Sequence, residues 1–269
     1  MKLEIVILGC GSSAGVPRAD GNWGACDPAN PRNRRSRCSL MVRRRAESEL
    51  QTTVIVDASP EFRLQTNAAG VKRLDALLLT HDHADQCHGI DDIRAFAITQ
   101  RARISCWMDD STAQSLGDRF GYIFRGQGLY PAIADLHQTP PAGQAWTLEG
   151  PSGPIPVIAF DQDHGDVRSL GYRFGPIAYS SDLVELPEAS FEALEGVEVW
   201  IVDALRYAPH PTHAHVDKAL SWIERVNPAR AILTNLHFDL DFAELAARLP
   251  AGVEPAFDGL TLEVETREP

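Results

Sequence analysis

Six side chains of the metal-binding kind recur along this sequence in one repeated setting. His81-Asp82-His83-Ala84-Asp85 follows directly on the apolar run Leu77–Thr80. His164 comes after Ile155–Phe160, Asp182 after Ile177–Ser181, and His237 after Ala231–Thr234. Each run has the length and composition of a strand. Each imidazole or carboxylate therefore stands at or just past a strand end, where a rigid sheet can aim side chains into one cleft. In an extended segment, residues two apart project to the same side, so His81 and His83 can grip one ion while Asp85 turns towards a neighbouring position. Imidazole and carboxylate suit zinc and harder divalent ions. A single histidine of this kind is more often a surface or hydrogen-bonded core residue. H-x-H-x-D joined by three more ligand types at later strand ends is poorly explained by chance.

The elements that must hold these groups are legible as a mixed series. Leu3–Leu8 reads as a strand stopped by Gly9 and Gly11. Gly11 to Ser39 is a long irregular loop rich in Gly, Pro, Asn and Arg, a functional rather than a structural connection. Thr53–Val56 is a strand ending at Asp57, and Pro60 to Ala69 a helix closed by Gly70. Ala76–Thr80 is a strand, Ile90–Gln100 a helix, Ile104–Met108 a strand and Ser111–Phe120 a helix. Gly126 to Pro156 is crowded with Pro and Gly and carries connections. Two short strands flank Gly175. The last third alternates helix (Glu188–Leu194), strand (Val197–Val202), helix (Val216–Val226), strand (Ala231–Thr234) and helix (Asp241–Leu249). With no repeat, low-complexity tract or linker, residues 1–269 read as a single domain of layered α/β class.

Composition narrows the setting. The chain carries 25 Lys plus Arg against 37 Asp plus Glu, a net charge of −12, which disfavours a stable nucleic-acid partner. A small anionic substrate stays compatible, because a bound metal reverses the local field. Five cysteines without a C-x-x-C pair argue against a disulfide framework and predict a cytoplasmic setting. Ile7-Leu8-Gly9-Cys10 has the look of a lipoprotein cleavage site, but Glu4 interrupts an apolar stretch too short for a signal peptide. No run approaches a membrane span, so no membrane partner is expected.

The series Asp57, His81-x-His83-x-Asp85, His164, Asp182 and His237 resembles the ordered motifs of the metallo-β-lactamase superfamily. Gly9-Cys10-Gly11-Ser12-Ser13-Ala14-Gly15-Val16-Pro17 is similar to the branch of tRNase Z and the phosphoribosyl cyclic phosphodiesterases, and His88-Gly89-Ile90-Asp91-Asp92-Ile93-Arg94 to its PhnP-like side. The likeness runs from Leu3 to about Leu262. It implies a four-layer αβ/βα sandwich with two divalent metal ions, zinc or manganese. His81, His83 and His164 would hold the first, Asp85 and His237 the second, and Asp182 would bridge both. Asp57 would orient a ligand imidazole, though a strand-end carboxylate making turn hydrogen bonds is an equal reading.

One position departs from the family. The residue after the motif Asp is usually His and here is Gln86. An amide is a weak zinc ligand, so the second site is expected to lose affinity or turn towards manganese-like preferences, with His88 as partial compensation. Pro211-Thr212-His213-Ala214-His215 aligns loosely with the family's His-Ser-Thr motif. By that resemblance His213 delivers a proton to the leaving oxygen and, with Asp85, makes up the catalytic pair. His215 and Arg206 are candidate substrate contacts. Arg32, Arg34, Arg35 and Arg37 read as a solvated loop in preference to a phosphate grip, and Cys26 with Cys38 lacks the spacing of a structural zinc site.

The expected function is a metal-dependent hydrolase, a phosphodiesterase acting on a small, including a cyclic, phosphate ester. The alternatives are a hydrolase of another ester or thioester, and an oxidative or carrier protein like pyrroloquinoline quinone biosynthesis protein B. A homodimer fits the family analogy, although nothing in the periodicity requires it.

Overall fold

Neighbouring side chains on the first strand enter different cores. Leu3, Ile5 and Ile7 pack into one, and Val6 and Leu8 into another. The two-residue repeat of a strand gives this result when both faces of its sheet are covered. The computed structural model describes residues 2–46 and 50–265. In it β1 (Lys2–Gly9), β2 (Ser39–Arg45), β3 (Gln51–Val56), β4 (Ala76–Leu78), β5 (Ile104–Met108) and β6 (Ala134–Gln138) lie side by side in chain order. The second sheet repeats the arrangement with β7 (Ala145–Leu148), β8 (Ile155–His164), β9 (Val167–Phe174), β10 (Ile177–Ser180), β11 (Val199–Asp203), β12 (Arg230–Thr234) and β13 (Val253–Pro255). β14 (Thr261–Glu265) then crosses back to pair antiparallel with β1, so each sheet has seven strands.

The inner faces meet through Val42, Val54 and Val56 of one sheet and Val157, Tyr172, Tyr179, Ile201 and Ile232 of the other. Outside the first sheet lie α1 (Phe62–Ala68), α2 (Ala84–Cys87), α3 (Arg94–Gln100), α4 (Asp110–Arg119) and α5 (Gly121–Arg125). They bury Phe62, Cys87, Ala97, Leu116 and Ile123 against Met41, Ile55 and Leu77. Outside the second lie α6 (Glu188–Leu194), α7 (Val216–Val226) and α8 (Phe242–Arg248), which set Leu194, Trp222 and Leu245 against Trp200, Val202 and Leu233. The result is the four-layer αβ/βα sandwich expected from the motifs. Among the described residues, no helix is long and apolar enough to cross a membrane.

Several expected elements shift for identifiable reasons. The helix expected from Pro60 begins at Phe62, because Ser59 Oγ accepts from the Glu61 amide and makes a turn of the preceding residues. Ile90–Ile93 is a 3₁₀ turn leading into α3. β2 escaped notice since its second half is Arg43-Arg44-Arg45. The Arg43 side chain is nonetheless buried, donating to the Ala69 carbonyl at 3.2 Å. β6 and β7 are short edge strands, so the segment Gly126 to Pro156 is not wholly connection.

The basic run is also corrected. Arg35 is buried and donates to the carbonyls of His237 (3.1 Å) and Leu240 (2.6 Å) and to Asn33 Oδ1 (3.2 Å). Arg37 pairs with Glu61 at 2.7 Å, and Arg34 lies over Trp23. Of these, Arg35 stitches the long first loop to the segment after β12, and Arg37 ties it to the start of α1. Arg35→Leu strands three buried acceptors and is expected to lower unfolding stability by about 2–4 kcal/mol, whereas Arg34→Leu, at the exposed stack, costs about 1 kcal/mol or less. Urea denaturation of both variants checks this, and equal losses would mean Arg35 is not an anchor.

Candidate metal centre

Three strands deliver their last residues to one end of the sandwich through the same backbone move. Asp57 after β3, Asp182 after β10 and Asn235 after β12 have φ of 63°, 57° and 60°. Short polar side chains tolerate this left-handed region best, because they can bond to nearby backbone. The move turns each side chain across the sheet end.

Asp57 accepts hydrogen bonds from the Thr80 backbone N–H (2.8 Å) and faces Thr80 Oγ1 at 3.0 Å. Thr80 Oγ1 lies 2.9 Å from His81 Nδ1. A hydroxyl has one proton, and giving it to Asp57 leaves Oγ1 to accept Nδ1–H of His81. His81 Nε2 is then a bare acceptor, and it is buried with no partner. His164 is fixed in the same tautomer, because its Nδ1 sits 2.7 Å from the Thr212 carbonyl, which can only accept. The rings of His81, His83 and His164 stand 4.5 to 5.1 Å apart, and one donor nitrogen from each lies within 4.8 Å of the others. Burial pushes His81 down to about 4, against the pull of Asp182, so the ring is neutral at pH 7 as a ligand must be. An orphaned buried nitrogen, two fixed tautomers and three converging imidazoles fit a divalent metal ion.

A second group joins His164, Asp182 and His213 within the same 4.8 Å limit. His213 Nδ1 is 2.9 Å from Asp203 Oδ2, 3.2 Å from Asn235 Nδ2 and 3.9 Å from Asp182 Oδ1. Burial lowers its affinity for protons, but the carboxylates of Asp203 and then Asp182 and Asp85 outweigh that and raise it to about 9. Asp182 Oδ2 accepts from Gln86 Nε2 at 2.9 Å and from Ser181 Oγ. The same Gln86 nitrogen is 3.4 Å from Asp85 Oδ2.

The expected second ligand set, Asp85, Asp182 and His237, does not meet as one group among the described residues. His237 Nδ1 instead lies 3.0 Å from Asp239 and its ring 4.0 Å from that of Phe238. His88 packs edge-on to Phe120 at 5.7 Å and joins neither ligand group among the described residues. His215 stands at the N-terminal boundary of α7 without a capping side-chain bond, outside both groups. Arg206 donates to the carbonyls of Ala208 and Pro209, closing its own loop, while burial first and its charge in smaller part lower the proton affinity of His210 and His237. Asp57 acts on Thr80, one bond further from the imidazole than expected. Sequence reasoning gave no role to Thr80, His210, Asn235 or Asp203. Asp203 had a signal, since it ends an apolar run like the other strand-end acids.

The beta-lactamase superfamily domain matches residues 52–238, a span containing both groups. Among solved structures, a diphosphatase from the PhnP family is 33% identical, with a TM-score of 0.87 over 99% of this chain and 98% of its own. Zn(2+)-bound PqqB from Methylobacterium extorquens has a TM-score of 0.71 at 16% identity, covering 96% of this chain and 99% of that one. Human tRNase Z, short form, has 0.64 at 14%, covering 96% and 98%. The last two are likenesses of fold alone. An octanoyltransferase of Porphyromonas gingivalis is 27% identical over 98% of this chain and 52% of its own length, so the chain spans about half of that relative.

Thr80→Val keeps the shape of the side chain and removes the hydroxyl that fixes His81. Zinc affinity, read by competition with a chromophoric chelator, is expected to fall about 10–100-fold. Unchanged affinity would show that Thr80 does not position the ligand.

Proposed function

The chain belongs to the beta-lactamase superfamily, on its PhnP-like side, and from that footing we propose that this metal-dependent hydrolase cleaves a small phosphoric diester. The observation that carries the proposal is the pair formed by His213 and buried Asp203, set against the imidazole cluster, with a ring separation of 4.7 Å from His164. His81, His83 and His164, with Asp182 beside them, would hold a divalent ion, which when bound would supply Lewis acidity towards water and phosphoryl oxygens. Hydrolysis forms one P–O bond from the water oxygen and breaks the opposite P–O bond, and the departing alkoxide takes up a proton. His213 suits that last task. Its Nδ1 is held by Asp203, so Nε2 is the nitrogen free to deliver the proton, and the carboxylate steadies the imidazolium. The products are a phosphomonoester and an alcohol, or one ring-opened monoester from a cyclic substrate.

Two features support phosphorus over carbonyl carbon. One is the relationship at 33% identity, over nearly the full length, to a PhnP-family diphosphatase. The other is the pair of guanidiniums near His237. Arg18 lies over Phe238 at 5.5 Å, and the charges of Arg206 and Arg18 both act on His237. Such cations at the rim favour a phosphate in a chain of net charge −12. Acyl transfer, named for the P. gingivalis relative, finds less support. All five cysteines are buried, and burial pushes each thiol up, away from the nucleophilic thiolate. The same free thiols support a reducing, cytoplasmic setting. A carrier role like that of the PqqB alternative rests on the resemblance of the first motif and on Gln86, and the three imidazoles weigh against it.

The test is hydrolysis of bis(p-nitrophenyl) phosphate after chelation and after readdition of Zn²⁺ or Mn²⁺, followed by a diester with an alkyl leaving group. His213→Ala is expected to lower kcat on the alkyl diester about 10²–10⁴-fold and to affect the nitrophenyl ester far less, since nitrophenolate leaves unprotonated. Asp203→Asn removes the foremost group that raises His213, so the alkaline limb of the kcat profile moves to lower pH. A reconstituted enzyme inert towards both diesters, or a His213→Ala variant equal to wild type on the alkyl one, would sink the reading.

A further inference from the structure

We propose that this chain holds one metal ion tightly and that the Gln86 amide stands where the family's second ion would draw its ligands. The inference rests on the metal-dependent reading above. Asp182 is the residue a second ion would share. Its Oδ2 accepts from Gln86 Nε2 at 2.9 Å and from Ser181 Oγ, and a carboxylate oxygen has about two lone-pair directions. Two donors fill them and leave Oδ1 alone for other partners. The second proton of the Gln86 amide faces Asp85 Oδ2 at 3.4 Å, so one neutral group spans both acids.

The amide orientation follows from its neighbours. Turned over, Oε1 would face a carboxylate oxygen 2.9 Å away, acceptor against acceptor. As it stands, Oε1 is buried with no donor, and the side chain is fully buried, so the two acids alone hold the amide in place.

Among the described residues, no imidazole joins Asp85 and Asp182 together in one group of ligand atoms. His237 stands outside both groups, its Nδ1 3.0 Å from Asp239 but without a hydrogen bond, and His88 lies against Phe120. His213, which does stand beside Asp182, has its Nδ1 held by Asp203 at 2.9 Å. A tight zinc site takes about four strong donors. The second position offers Asp85 and one oxygen of Asp182, plus an amide oxygen only if Gln86 gives up both of its hydrogen bonds. These residues do not fit a second metal. They replace its charge with a hydrogen-bond bridge.

Full-length protein would be stripped with chelator, reloaded with excess Zn²⁺ or Mn²⁺, desalted, and its metal measured by plasma mass spectrometry and native mass spectrometry. Wild type is expected to retain about one ion per chain, and Gln86→His about two. Asp85→Asn is expected to stay at about one, which covers the case in which Gln86→His folds poorly. About two tightly held ions in wild type, or a fall below one in Asp85→Asn, would overturn the inference while leaving a metal hydrolase intact. A wild type that retains no metal would overturn both, and His83→Ala, expected to lose the ion, checks that the retained metal is the one at the imidazole cluster.

Discussion

Three carboxylates buried at one end of a sandwich, in a chain already acidic, are the constraint around which the site is built. Asp57, Asp182 and Asp203 are each almost wholly shielded from water. Burial pushes Asp57 and Asp203 above the usual carboxylate range, since the low-dielectric interior penalises the charged form. Left alone, such groups would oppose folding. Each is met by donors instead. Thr80 serves Asp57, Gln86 and Ser181 serve Asp182, and His213 with the Leu183 and Asn235 N–H groups serves Asp203. A cation seated among His81, His83 and His164 complements what remains, because its charge reverses the local preference for the protonated acid. Stability without metal and affinity for metal are thus set by the same residues.

The precision of the site depends on how the two sheets are joined beside it. Tyr172 Oη donates to the Leu79 carbonyl at 2.7 Å, and the Leu170 amide donates to Thr80 at 3.0 Å, so β9 is tied to the turn carrying His81. Ser169 Oγ donates to the Asp182 carbonyl at 2.6 Å, and the Leu236 amide to Cys10 at 2.8 Å. All but the Ser169 bond cross between elements far apart in sequence. They fix strand-end side chains relative to one another to the tolerance a ligand cluster needs, which loops alone do not give.

Much of this was legible in the sequence because chemistry and periodicity coincided there. Apolar runs ending in His or Asp placed His81, His164, Asp182 and His237 at strand ends, and the residue-by-residue alternation made both faces of each sheet apolar. What stayed hidden was contact between distant residues. Nothing local to Thr80 says that its hydroxyl joins Asp57 to His81, and nothing local to Arg35 says that it is buried under the segment after β12. His237 was placed at the right strand end, yet its ring swings towards Asp239 and Phe238, a choice made by side-chain packing that no spacing encodes. β6 and β7 were missed because they are short and lie in a stretch crowded with Pro and Gly, which reads as connection.

Replacing a cation by an amide changes what the substrate must find in the cleft. A second dication would face Asp85 and Asp182 and still leave positive charge for phosphate oxygens. Gln86 satisfies the same acids with N–H groups and adds no charge, so transition-state stabilisation shifts to other groups. His213, whose proton Asp203 helps hold, is one. Arg206, tethered to its own loop through Ala208 and Pro209, and Arg18, laid over Phe238, are the others. Guanidiniums on loops reach farther than a buried ion and meet phosphate with paired donors. On the phosphodiester reading proposed above, a site arranged in this way would favour a small substrate with phosphate oxygens extending towards the rim.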